Sequence, residues 1–195
     1  MYSPERTLGD RQRRILLQTA RESIANGLRV GTPLPVDPAE FDPELQEKRA
    51  TFVTLNKKGE LRGCIGHLEA IQPLIRDVAE NAFNAAFNDP RFPPVDAGEL
   101  DELEIHISIL SPPEPIRFSS EADLLRQIRP QIDGLILEDG VYRGTFLPSV
   151  WEQLPQPEQF LAHLKMKAGL PPNYWSDTMR LYRYISEPFS EQEYR

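Results

Sequence analysis

Apolar residues recur at three- and four-residue spacings from the start of the chain, through Leu8, Ile15, Leu16, Ala20, Ile24 and Leu28, with charges between them. This spacing predicts an amphipathic helix over 7–27, capped by Thr7 and stopped at Asn26-Gly27. Residues 31–43 are rich in proline and read as an irregular loop or flap. The β-prone runs 51–56 and 60–66 flank Lys57-Lys58-Gly59 and predict a hairpin. A second helix is expected over 73–88, with Pro73 in its first turn and a narrow face of small residues at Ala79, Ala82, Ala85 and Ala86. Residues 103–110 alternate strictly, with Leu103, Ile105, Ile107 and Ile109 on one face and Glu104, His106 and Ser108 on the other.

Beyond that strand, Ser120 is placed to cap a short helix to 128, and 134–138 pairs with 142–147 across Asp139-Gly140. A helix over 157–168, closed by Gly169, and a strand over 178–185 complete the pattern. Hairpins and helices are interspersed without β-α-β alternation. The expectation is therefore an α+β fold with a mainly antiparallel sheet and flanking helices.

Composition narrows the function classes. The 195 residues carry a net charge of −8, which opposes non-specific attachment to nucleic acid or anionic membranes. The chain has one cysteine, so no internal disulfide can form, and a reduced, cytoplasmic setting is expected. The N-terminal residues are charged and do not resemble a secretory signal, and no apolar run reaches membrane-spanning length. Three scattered histidines and one cysteine offer no zinc spacing, and no metal is expected.

Candidate chemistry centres on Arg62-Gly63-Cys64-Ile65-Gly66. In an extended strand Arg62, Cys64 and Gly66 share one face, and Gly63, Ile65 and His67 the other, which disfavours a Cys64–His67 dyad. A guanidinium beside a thiol makes Cys64 a candidate nucleophile, and two glycines in one strand suit a ligand approaching the backbone. The structural alternative is a buried cysteine packed as a small hydrophobe. Asp89 and Arg91 lie in a rigid proline-bounded turn, where Arg91 either faces a ligand or simply pairs with Asp89. Asn84 sits one helical turn before Asn88 and could face the same region. Tyr142-Arg143-Gly144-Thr145 echoes Leu61-Arg62-Gly63-Cys64, so Arg143 and Thr145 join Arg62 as candidates for holding an anion; two unrelated hairpins are the alternative.

Taken together, LRGCIG (61–66), NDPRFPPV (88–95), ELDELEIHISILSPPEPI (99–116), GLIL with YRGTFLPSVW (within 134–151) and KAGLPPNYW (167–175) resemble the AMMECR-domain family. That family supplies the A component of AmmeMemoRadiSam systems. The resemblance implies a single compact two-lobed domain over 1–195 with a cleft between the lobes. It also implies a modification pathway shared with a Memo-like protein and a radical-SAM protein. It names no cofactor and no reaction. A non-catalytic adaptor or an RNA-associated protein is the competing expectation. The resemblance further implies that relatives carry a second cysteine where this chain has Lys165, and that the position of His106 varies among them.

Overall fold

The computed structural model describes residues 8–194, so the expected Thr7 cap lies outside the described residues. The chain divides into two compact units, one formed by the N-terminal segment to Pro112 with the segment from Glu187, the other by Pro113–Ser186. Each unit holds a four-stranded sheet with antiparallel pairing.

In the first unit the strands are β1 (Ala50–Lys57), β2 (Glu60–Gly66), β3 (Leu103–Leu110) and, after the second unit's strands β4 to β7, β8 (Ser186–Ser190). Their order across the sheet is β2-β1-β3-β8, so β2 is an edge. Strict alternation turns Ile105, Ile107 and Ile109 of β3 and Val53 and Leu55 of β1 into one core. Helices α1 (Asp10–Val30) and α3 (Leu74–Phe87) contribute Leu16, Ala20, Ile24, Val78, Ala82 and Ala85 to that core, with Leu45 of the short α2 (Pro43–Gln46).

Helix α1 runs past the expected stop at Asn26-Gly27. A Cβ on Gly27 would lie 2.3 Å from the Phe87 ring, so this glycine admits α3 rather than ending α1. The stop is Gly31, in the left-handed conformation at φ 76°, and Asn26 holds the following turn by donating to the carbonyls of Thr32 and Pro33. The proline-rich loop after it lies against the first core through Val36 and Phe41.

The C-terminal segment is fixed to the first unit by ion pairs. Arg13 donates to Glu187 at 2.7 Å, and Glu187 also accepts the Leu8 N–H. Arg21 makes a two-pronged pair with Glu191 and donates to the Leu100 and Leu103 carbonyls.

The second unit orders its strands β4-β7-β5-β6, where β4 is Glu114–Ile116, β5 Gly134–Asp139, β6 Tyr142–Phe146 and β7 Arg180–Tyr184. Helices α4 (Glu121–Gln127) and α5 (Pro157–Lys167) complete it, and Ser120 caps α4 by accepting the Asp123 N–H. Trp151 stacks on Phe160 at 3.8 Å and donates its indole N–H to the Asp133 carbonyl.

Strands β4 and β8 were not expected from the sequence. Both are short, contain proline and lack alternating apolar residues, which leaves no local β signal. Among the described residues no helix is long and apolar enough to cross a membrane.

Candidate functional site

The face of the first sheet turned away from α1 and α3 carries the polar half of each alternating strand. Across it, Thr54 of β1 is the register partner of Cys64 on β2 and of His106 on β3. Cys64 is half-buried and is held at three points. Its N–H donates to Asp89 Oδ2 at 2.9 Å, its carbonyl accepts from Arg91 Nη2 at 3.3 Å, and its Sγ accepts from the Thr54 hydroxyl at 3.2 Å. Because β2 is an edge strand, its outward N–H and C=O at Cys64 have no strand to pair with. The Asn88–Val95 turn fills that role with side chains, and it is tied back to α3 by the Val95 N–H donating to the Ala86 carbonyl.

Asp89 is 4% exposed and accepts four donors: the N–H groups of Cys64 and Arg91 and the guanidinium of Arg91 through Nε and Nη2. The Arg91 guanidinium above all, then those backbone donors, hold its carboxyl well below the usual range. Arg91 is in turn raised, first by its bonds to Asp89. More than half of the Arg91 side chain is exposed, and among the described residues its Nη1 has no protein partner.

Arg62 is placed differently from the role expected of it. Its guanidinium is committed to Glu99, with Nε donating to Oε1 at 3.0 Å and Nη2 to Oε2 at 2.9 Å, and its Nη1 is buried without a partner. Glu99 also accepts from Lys57 and from the Asp96 N–H, and its carboxyl is pulled down to about 2, chiefly by Arg62. The cation beside the Cys64 main chain is therefore Arg91.

The glycines have packing causes. A Cβ on Gly63 would sit 2.1 Å from the Ala85 carbonyl oxygen of α3, and one on Gly66 2.3 Å from the Thr51 carbonyl. Gly144 on β6 stands in the same relation to α5, where a Cβ would meet the Ala168 backbone at 2.9 Å. The repeated Arg-Gly of the two hairpins thus records two strands pressed against a helix.

Asn84 accepts from the Asn88 side chain at 2.7 Å. Arg143 and Thr145 belong to the second unit. Arg143 pairs with Glu138 at 3.3 Å, and Thr145 donates to the Leu135 carbonyl and touches the Tyr184 hydroxyl, which burial pushes up to about 12. Lys165 is buried and donates to Glu121 at 3.1 Å.

His67 leaves the Cys64 face, as alternation predicts, and its Nε2 approaches Asp77 Oδ1 at 2.8 Å. Asp77 is fully buried on α3; burial raises its carboxyl, opposed by donors from Thr51 and Gln72 and by the charge of His67. On the Cys64 face, His106 Nε2 lies 2.9 Å from Glu104 Oε1 without forming an aligned hydrogen bond. Thr54, Glu99 and Glu104 escaped sequence reasoning. Register counted from Lys58-Gly59 alone would set Val53 beside Cys64; a bulge between Leu55 and Asn56 shifts the partner to Thr54.

The model of the AMMECR1 family matches residues 17–189. A protein of Methanothermobacter thermautotrophicus is 43% identical over 184 residues, covering 91% of this chain and 93% of its own. Protein MJ0810 of Methanocaldococcus jannaschii is 45% identical over 165 residues, covering 80% of each. The crystal structure of protein PH0010 from Pyrococcus horikoshii superposes with a TM-score of 0.84 at 38% identity, covering 94% of this chain and 93% of that one.

Proposed function

This chain belongs to the AMMECR1 family, and from that membership together with the Cys64 geometry we propose that the outer face of the first sheet is a ligand-facing surface whose reactive group is the Cys64 thiol. The observation that carries the reading is the three-point hold on Cys64, with main-chain N–H on Asp89, carbonyl on Arg91 and sulfur on Thr54. A thiol that is half-exposed yet fixed by partners on two other segments is pre-set for attack on a bound group. The exposed guanidinium of Arg91, with Nη1 unused among the described residues, supplies the contact for an anionic or strongly polar part of the ligand.

The setting proposed is a reduced, cytoplasmic modification pathway in which a Memo-like and a radical-SAM protein are partners. Cys64 then acts on, or carries, the group being modified.

Protection from alkylation tests the site. Iodoacetamide should label Cys64 in the folded protein, and inorganic phosphate or acetate at millimolar concentration should slow that labelling in the wild type and not in R91A. Labelling unaffected by either anion would remove the anion-facing reading. If C64A still captures its partners and sustains function in cells, the non-catalytic adaptor replaces the thiol role.

A further inference from the structure

A cleft on the first unit is lined by none of the residues that hold Cys64. The proline-rich segment 33–36 forms one wall, Arg76 and Glu80 of α3 form the other, and the volume between them is about 610 Å³. Asp37 and Glu40 line the end where that segment turns. A space of this size lies in the range of small-molecule sites, roughly 300–1,000 Å³.

The proline wall is fixed by its own partners. Ser23 of α1 is fully buried; its hydroxyl donates to the Ala79 carbonyl of α3 at 2.6 Å and accepts the Leu34 N–H at 3.0 Å. One side chain thus ties both helices to the loop. Asn26 donates to the Thr32 and Pro33 carbonyls, and Asp37 accepts the Ala39 N–H to start the single turn Pro38–Glu40. Pro33 and Pro35 also have fixed φ, so little order remains to be imposed when something binds.

The charges are distributed unusually. Gln72 donates to Glu80 Oε2 at 2.9 Å, while Arg76, four residues before Glu80 on the same helix, makes no ion pair with it. The Arg76 guanidinium is exposed and has no hydrogen bond or ion pair among the described residues, and the same holds for the Glu40 carboxylate. A cation and an anion therefore line one cleft without pairing. Three carboxylates, of Asp37, Glu40 and Glu80, stand against the one guanidinium of Arg76. That excess disfavours a simple anion and favours a ligand that carries a cation as well.

From this pattern we infer that the cleft binds an amino-acid zwitterion with an apolar side chain, either free or as a short peptide with both ends free. The ligand's carboxylate meets Arg76, its ammonium meets Glu40 and Glu80, and its side chain lies against Leu34 and Val36. This site is separate from the Cys64 reading and does not depend on it.

Titration of the isotope-labelled full chain with L-leucine and with leucyl-leucine tests the inference, read by the amide NMR shifts of Leu34, Val36 and Glu80. At least one ligand should move these signals saturably in the millimolar range. Tighter binding of leucyl-leucine identifies a peptide site, and tighter binding of leucine a free amino-acid site. The amide of the tighter ligand, which lacks the carboxylate, and its N-acetyl derivative, which lacks the ammonium, should each bind about tenfold more weakly. R76Q should abolish the preference over the amide and E40Q should narrow the preference over the N-acetyl form. Signals away from the cleft should stay in place in both variants, which shows that they are folded. No saturable shift with either ligand would overturn the site. Equal binding of the zwitterion and its two blocked forms, or preferences unchanged in R76Q and E40Q, would overturn the zwitterion.

Discussion

The backbone N–H of Cys64 donates to the carboxylate of Asp89 at 2.9 Å, across the open edge of β2. A strand edge is normally protected by charge, proline or a covering loop; here one aspartate and one arginine do it by occupying the donor and acceptor of a single residue. The same two bonds that protect the edge fix the thiol's main chain. Asp89→Ala should therefore act twice. It leaves a buried N–H and the Arg91 guanidinium without their acceptor, a loss of about 3 kcal/mol by urea unfolding. It should also change the rate at which Cys64 alkylates in the native state, whereas a purely structural role for the loop would leave that rate alone.

Glu99 gives an acid-sensitive counterpart. Its carboxyl is lowered from 4.5 to about 2, chiefly by the Arg62 guanidinium. A lowered carboxylate contributes stability that is fully present above pH 4.5 and lost as pH falls toward 2. Glu99→Gln should cost about 1–2 kcal/mol at neutral pH and make the stability profile flatter between those limits. Equal slopes for wild type and variant in acid titration of the unfolding midpoint would contradict the pairing.

Gly63 is set by α3 rather than by a ligand. A methyl group there meets the Ala85 carbonyl oxygen at 2.1 Å, and that oxygen belongs to helix backbone. Gly63→Ala should destabilise by roughly 2–3 kcal/mol, lowering the thermal midpoint by roughly 5–10 °C. Gly144→Ala should behave alike against Ala168 in the second unit. A tolerated alanine at both sites would break the packing explanation of the repeated Arg-Gly.

The return of the C-terminal segment depends on Arg21 and Glu191. Glu191 accepts both prongs of that guanidinium and the Ile105 N–H. Glu191→Ala should lower stability by about 2–3 kcal/mol and speed amide exchange along β3, read by hydrogen–deuterium exchange.

Much of the architecture could be read from local pattern. β3 alternated over eight residues, Lys58-Gly59 and Gly140 marked both hairpins with positive φ, and Ser120 capped α4 as expected. Elements whose existence depends on distant partners could not be read this way. β8 is a five-residue stretch with a proline, paired with β3 across nearly eighty residues of intervening chain. Asn26-Gly27 looked like a helix stop because the aromatic side chains that fill the space above Gly27 come from α3. The site divided in the same way. Alternation placed Cys64 and Arg62 on one face, but charge partners are a tertiary property. Nothing near Arg62 in sequence announces Glu99, and Arg91 reaches Cys64 from 27 residues away.

The central claim is that the fold positions the Cys64 thiol for reaction. Native-state labelling by iodoacetamide, followed by intact mass, measures it most directly in wild type and T54V. Folded wild type should be labelled at Cys64 without unfolding, and T54V, which removes the hydroxyl donor to the sulfur, should shift the rate several-fold while the protein stays folded. Labelling that occurs only after denaturation, or at one rate in both proteins, would contradict it.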